Sequence, residues 1–107
     1  MSKEKNENNK ADEGLELLSQ YWWLFGRAGG LTRINIVKLL LKRPYNANQI
    51  ANELKMSYRN IKHHLEILEE ASLVAENSDQ KYGRIYVLDS NFNNKIFEDI
   101  LSKRNIE

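Results

Sequence analysis

Residues 46–72 read NANQIANELKMSYRNIKHHLEILEEAS, and this stretch decides the fold. Asn46-Ala47-Asn48-Gln49 has the form of a capping box, with Asn46 as cap and Gln49 reaching back. Ala47, Ile50, Ala51 and Leu54 follow at helical spacing and form the inner face of a short helix. Ser57 is a second N-cap. The helix it opens is expected from Tyr58 to about Ser72, with Ile61, Leu65 and Leu68 inward. Only Lys55-Met56-Ser57 separates the two helices. The small Ala51 suits a steep crossing at close approach. Lys55 stands where such turns often place glycine, and a left-handed residue other than glycine costs roughly 1 kcal/mol.

Working outward, Ile34, Val37, Leu40 and Leu41 make the buried stripe of a preceding helix, with Thr32 as its N-cap and Pro44 as its stop. Before it, Asp12 and Glu13 favour a helix start. Leu15, Leu18, Trp22 and Phe25 repeat at helical spacing, and Leu17, Tyr21 and Leu24 form a second stripe beside them. This apolar face is wider than a surface helix needs. Gly26 and Gly29-Gly30 end that helix and are read as a flexible joint. Residues 1–11 are polar without an apolar period and are read as a disordered tail.

Downstream of the decisive stretch the period changes from helical to alternating. Leu73–Glu76 reads as a short strand, Asn77–Gly83 as a polar turn and Arg84–Leu88 as a strand rich in β-branched and aromatic residues. Ser90 or Asn91 is the expected cap of a last helix within 90–107, with Phe92, Ile96, Phe97, Ile100 and Leu101 on one side. The fold class is therefore mainly α with a small β-hairpin (α+β). It is a helix-turn-helix with a wing over residues 31–88, with additional helices at 12–26 and 90–107.

Composition narrows the function. The chain has 107 residues, 41% hydrophobic and 29% charged, which suits one small globular domain and excludes a large multilayered enzyme. It has no cysteine, so disulfides, thiolate zinc sites, iron–sulfur clusters and thiol nucleophiles are excluded. No run of about 18 apolar residues is present to span a bilayer. The Lys/Glu/Asn-rich start lacks the apolar core of a signal peptide. A cytoplasmic location is expected.

Net charge is only +1, but its distribution is uneven. Arg27, Arg33, Lys38, Lys42 and Arg43 lie in a stretch without acids, as do Lys55, Arg59 and Lys62. At about 100° per residue, Arg59, Lys62, His63 and Glu66 fall broadly opposite Ile61, Leu65 and Leu68. The second helix of the pair thus buries one side and offers Arg, Lys and His on the other. A recognition helix meets base edges in a major groove with such a face. Arg59 suits guanine and Asn60 adenine. Lys62 suits phosphate, as does the helix N-terminus at Ser57 and Tyr58. Lys81, Tyr82 and Arg84 around Gly83 make a basic loop suited to the DNA backbone or the minor groove. Tyr58 sits only about 60° from the core direction, so packing is its other reading. Tyr82 and Tyr86 also read as cross-strand surface tyrosines.

Residues 31–88 resemble the winged helix-turn-helix transcriptional regulators of the ArsR-like type, especially archaeal members. Leu31–Ile34, Tyr45–Ala51, Ser57–Leu68, Leu73-Val74 and Tyr82–Tyr86 carry the resemblance, and HHLEILEEASLV is its most specific part. The resemblance implies a DNA-binding regulator, a homodimer, a reader helix starting at Tyr58 and a dimer made by the terminal helices. Leu15, Leu18, Tyr21, Trp22, Phe25, Phe92, Ile96, Phe97 and Ile100 are the expected dimer residues. Metal-sensing relatives carry Cys on the helix equivalent to Asn46–Leu54, or His, Asp and Glu ligands on the last helix. Here the first has no Cys and the last no His, and the neighbours His63 and His64 do not converge on one ion. No metal site and no cofactor are expected.

Catalysis is not expected, because no G-x-S-x-G, P-loop, dinucleotide fingerprint or zinc-type His spacing is present. Two other readings stand beside DNA-sequence reading: a protein-interaction winged-helix adaptor within a larger assembly, and a non-specific architectural DNA binder. Membrane attachment through Leu15–Phe25 lacks support, since Glu16, Ser19 and Gln20 leave its polar face without bases. The expected partners are double-stranded DNA and a second copy of the chain.

Overall fold

The computed structural model describes residues 2–104, with side chains from Glu13 onward. Helix α1 runs Ser2–Phe25, α2 Gly30–Lys42, α3 Ala47–Leu54, α4 Tyr58–Glu70 and α5 Asn94–Lys103. Strands β1 (Tyr45–Asn46), β2 (Val74–Asp79) and β3 (Gly83–Leu88) form one antiparallel sheet in the order β1-β3-β2. This is a winged helix-turn-helix: α2, α3 and α4 form the trihelical core and β2-β3 the wing.

The helix starts and stops follow side-chain chemistry. At α3 the capping box forms: Asn46 N–H donates to Gln49 Oε1 at 2.9 Å, and Gln49 N–H to Asn46 Oδ1 at 2.7 Å. At α4, Asn60 N–H donates to Ser57 Oγ at 3.1 Å. Lys55 takes the left-handed conformation (φ 55°, ψ 46°) that turns α3 into α4. The expected inner faces hold, for Ala47, Ile50, Ala51, Ile61, Leu65 and Leu68 are buried. Full burial of a side chain such as Ile61 stabilises the fold by roughly 1.5–3 kcal/mol.

Elsewhere the boundaries differ from the sequence reading. The backbone is helical from Ser2, within the stretch read as a disordered tail. A polar segment rich in Lys and Glu can extend a helix already nucleated by its packed C-terminal half, because propagation costs far less than nucleation. Gly29, not Thr32, is the N-cap of α2. Its left-handed backbone (φ 85°) turns the chain into the helix three residues earlier. A Cβ on Gly30 would stand 2.6 Å from the Phe25 carbonyl oxygen, so this joint is a tight corner rather than a slack link. Leu41 is 44% exposed, while Ile36 and Leu39 are buried in its stead. The reason is that α2 packs against α1, α3, α4 and β3, and its buried sector centres on Ile36, Val37 and Leu40.

The wing is longer than expected. Asn77, Ser78 and Asp79 pair with Ile85, Arg84 and Gly83. Asp79 Oδ1 accepts from both Lys81 N–H and Tyr82 N–H at 2.8 Å, which folds residues 80–82 into the turn. Helix α5 is capped by Asn93, whose Oδ1 accepts from Ile96 N–H at 3.0 Å, rather than by Ser90 or Asn91. Asp89 holds that earlier segment in a turn by accepting from Asn91 N–H. Tyr21 Oη in turn accepts from Asn93 N–H at 2.8 Å and ties α5 to α1.

Candidate nucleic-acid interface

Helix α4, the expected reader, projects from a core that fixes its inner side. Taking Ile61 as the reference at about 100° per residue, Leu65 and Leu68 lie within about 40° of it, and Arg59 and His63 lie near the opposite pole. Arg59, Asn60 and His63 are exposed, as are Ser57 and Tyr58 at the helix start. On the wing, Lys81, Tyr82 and Arg84 are exposed. Lys81 Nζ stands 5.2 Å from the Tyr82 ring centre, a cation–π contact at the hairpin tip.

Lys62 is held differently from the other bases. Its Nζ donates to Tyr86 Oη at 2.9 Å, and Tyr86 Oη donates to Glu76 Oε1 at 2.8 Å. Glu76 Oε2 lies 3.5 Å from Arg84 Nη1. This chain of contacts joins α4, β3 and β2. The bond it donates to Tyr86 holds the Lys62 ammonium above the ordinary lysine range. Burial pushes the Tyr86 phenol up. Lys62, Glu76, Arg84 and Tyr86 line a cleft of about 280 Å³ together with Asn46, Asn48, Tyr58 and Tyr82. Tyr58, half exposed, is therefore a wall of this cleft rather than core packing. Tyr86 is 1% exposed, so it is not a surface tyrosine. Sequence reasoning missed both Glu76 and the role of Tyr86. The i, i+8 and i, i+10 separations across a wing show only once the register is known.

The basic run before α3 splits in the structure. Arg33 is 6% exposed and unavailable to a phosphate. Its Nε donates to Leu24 O at 2.7 Å, satisfying a carbonyl at the end of α1, and its Nη1 lies 3.1 Å from His64 Nδ1. Arginine has no acceptor, so Nδ1 accepts and the His64 proton sits on Nε2. Burial, then Arg33 and His63, holds the His64 imidazole below its ordinary range. Burial and Arg27 push the Arg33 guanidinium down. Arg27 and Arg33 both lie over the Trp23 ring, at 5.6 and 5.8 Å from its centre. Arg43 stacks on Tyr45 at 3.8 Å.

The residues expected to make a dimer divide in the same way. Tyr21, Phe25, Phe97 and Ile100 are fully buried within the chain. They form an apolar cluster between α1 and α5, with Phe25 and Phe97 ring centres 5.1 Å apart and Tyr21 and Phe92 5.8 Å apart. They are core rather than contact surface, because the short trihelical unit needs the terminal helices to complete its interior. Trp22, Phe92 and Ile96 are partly buried against that core, Leu18 is half-buried and Leu15 is 63% exposed. Trp23, not singled out from the sequence, is 51% exposed.

Among the described residues no group of three or more His, Cys, Asp or Glu could hold a metal ion. No described helix is long and apolar enough to cross a membrane.

Comparison with known proteins agrees with this frame. Among solved structures, the apo form of a Lactococcus lactis ZitR mutant superposes with a TM-score of 0.62 at 19% identity, over 92% of this chain and 73% of that one. AbfR with its disulfide formed gives a TM-score of 0.56 at 22% identity, over 95% and 81%. Reduced AbfR bound to DNA gives 0.57 at 20% identity, over 95% and 83%. At these identities the likeness is one of fold. No curated protein matches the chain. Residues 31–76 match the family described as bacterial regulatory protein, arsR family. Over the segment that bears α2, α3 and α4, this chain is thus similar to the ArsR regulators, and the helix-turn-helix is of their type.

Proposed function

We propose that this protein is a transcription regulator that binds double-stranded DNA as a homodimer, with α4 in the major groove and the wing on the backbone or in the minor groove. The observation that carries the reading is one of placement. Arg59, Asn60 and His63 stand exposed on the outward side of a helix whose inner side is locked in the core, and the exposed bases of the wing flank it. Arg59 and Asn60 suit direct readout of base edges, and Lys81 and Arg84 suit phosphates. An AbfR structure of similar fold was solved on DNA, which supports the same use of this frame.

The dimer would use the outer side of α1. Leu15, Leu18 and Trp22 lie on one side of α1 with surface to spare, beside the buried Tyr21 and Phe25. Two reader helices related by a two-fold axis would then meet successive major grooves about one helical turn apart. Such a regulator acts in the cytoplasm, where it meets DNA, and needs no catalytic group.

The test is a fluorescence-anisotropy titration of a labelled random duplex pool at two salt concentrations, with sequencing of the bound fraction. The expected result is salt-sensitive binding with an enriched inverted repeat. Salt-sensitive binding without any enriched motif would replace the reading by an architectural DNA binder. Absence of binding at low salt would replace it by a protein-interaction module.

A further inference from the structure

A face built to meet a polyanion carries an acid near its middle. Glu76 is on β2, its side chain 26% exposed, and it lines the cleft between the reader helix and the wing. Its position is fixed from behind. Tyr86, almost wholly buried, donates its hydroxyl proton to Oε1, so the carboxylate cannot swing away without leaving a buried phenol unpaired. The other oxygen, Oε2, faces Arg84, which is itself 77% exposed. Through Tyr86 the same carboxylate is connected to Lys62. Glu69 on α4 also faces Glu76, so negative charge at this point comes from two elements.

The geometry is that of an anion site whose anion is supplied by the chain. A carboxylate and a phosphodiester present a guanidinium with similar acceptors at similar distance. We propose that Glu76 is a built-in stand-in for a DNA phosphate: in the free protein it engages Arg84, and binding transfers Arg84 from the carboxylate to the backbone. This rests on the DNA-binding reading above and adds to it a regulating residue. The contact involves no base, so it weakens binding to every duplex alike. Sequence preference is left to Arg59, Asn60 and His63. Lys62 keeps two of its three ammonium protons free of Tyr86 and needs no exchange.

The experiment compares the full chain, Glu76→Gln, Arg84→Gln and the double variant on a short labelled duplex of random sequence across a salt series. Glu98→Gln on α5, which changes net charge equally but lies outside the cleft, is the control. Glutamine at 76 still accepts from Tyr86, so the fold is retained, and a thermal melt of each variant checks this. Glu76→Gln is expected to bind about three- to tenfold more tightly at low salt, the effect of releasing Arg84 from its ion pair to meet a backbone phosphate. Its log-log salt slope is expected to steepen by up to about 0.9, since one more base is free to displace counterions. In the Arg84→Gln background the same substitution is expected to tighten binding less than twofold, and Glu98→Gln likewise. Equal tightening with and without Arg84 would overturn the proposal and leave Glu76 a simple repulsive charge. Unchanged or weaker binding by Glu76→Gln would also overturn it while leaving the DNA reading intact. Failure of the unmodified chain to bind at low salt would instead remove the DNA reading itself, and this proposal with it.

Discussion

Arg33→Met tests whether a buried guanidinium staples three helices together. Arg33 lies on α2, reaches back to the Leu24 carbonyl of α1 and forward to His64 of α4. Losing a charge-assisted hydrogen bond costs about 1.5–3 kcal/mol, and the Leu24 carbonyl would be left buried without a donor. Methionine replaces the hydrocarbon stem and removes the expense of burying a cation, which returns part of the loss. The net expectation is a destabilisation of about 2 kcal/mol. For a domain of this size that lowers the melting temperature by roughly 8–16 °C. Arg33→Lys should lose at least as much, because it keeps a buried charge but gives up the fork that reaches two acceptors. The assay is urea unfolding followed by circular dichroism at one fixed protein concentration, since a dimer would make stability concentration-dependent. A methionine variant as stable as the original would refute the reasoning, for then the guanidinium's desolvation would outweigh its bonds.

Five further substitutions probe separate features. Lys55→Gly should raise stability by about 0.5–1 kcal/mol, because the left-handed backbone at φ 55° disfavours a side chain; a loss in urea unfolding would contradict it. Asn46→Ala removes half of the α3 capping box and should destabilise by about 1 kcal/mol, measured the same way. Arg59→Ala should weaken binding to a preferred duplex by about 1–3 kcal/mol and relax its sequence preference, whereas Lys81→Ala should weaken all duplexes alike and flatten the salt slope by about one unit. The His64 imidazole is held below its ordinary value by burial, by Arg33 and by His63, so the unfolded chain binds its proton first. Stability from this group is complete above about pH 6.5 and falls as the pH drops through the folded value. His64→Gln should remove that part of the pH dependence of the melting temperature; an unchanged profile would assign it to other groups.

The helix-turn-helix was legible because each of its boundaries is written in local chemistry. Asn46, Gln49 and Ser57 act on backbone N–H groups three residues away, and Ile61, Leu65 and Leu68 repeat at the helical period. The wing was legible only in outline. Asn77, Ser78 and Asp79 are polar residues on an exposed strand and show no alternation, so their pairing with β3 depends on the turn that Asp79 closes. Strand β1, two residues long, is too short for any period and exists because Tyr45 and Asn46 lie beside Tyr86 and Ile85. Side-chain roles set across the fold were the least legible. Arg33 reads as one base among several on a basic run, and only the corner at Gly29-Gly30 brings it under α1. Tyr21, Phe25, Phe97 and Ile100 read as dimer residues because a wide apolar stripe looks the same whether its partner is α5 or a second chain.

The two side-chain hydrogen bonds that tie α4 to distant parts of the chain bear on how it could read DNA. Lys62 and His64 lie about 200° apart around the helix, one on each flank of the apolar side. Lys62 is tied to the wing through Tyr86, and His64 to the α1–α2 corner through Arg33. With Ile61, Leu65 and Leu68 seated in the core, these two ties resist rotation about the helix axis in both senses. Rotation matters more than translation for a reader helix, since base hydrogen bonds weaken steeply when their angle is lost. A turn of even a fraction of one residue would carry Arg59 and His63 away from the base edges they would face. The flanking ties also couple the reader to two neighbours with different duties in the proposed complex. One is the wing, whose Arg84 contends with Glu76. The other is α1, whose exposed side is the proposed dimer surface. Spacing between half-sites and grip on the backbone would thus reach the same helix from opposite flanks, and it is by fixing the helix's rotation that both would act on base reading.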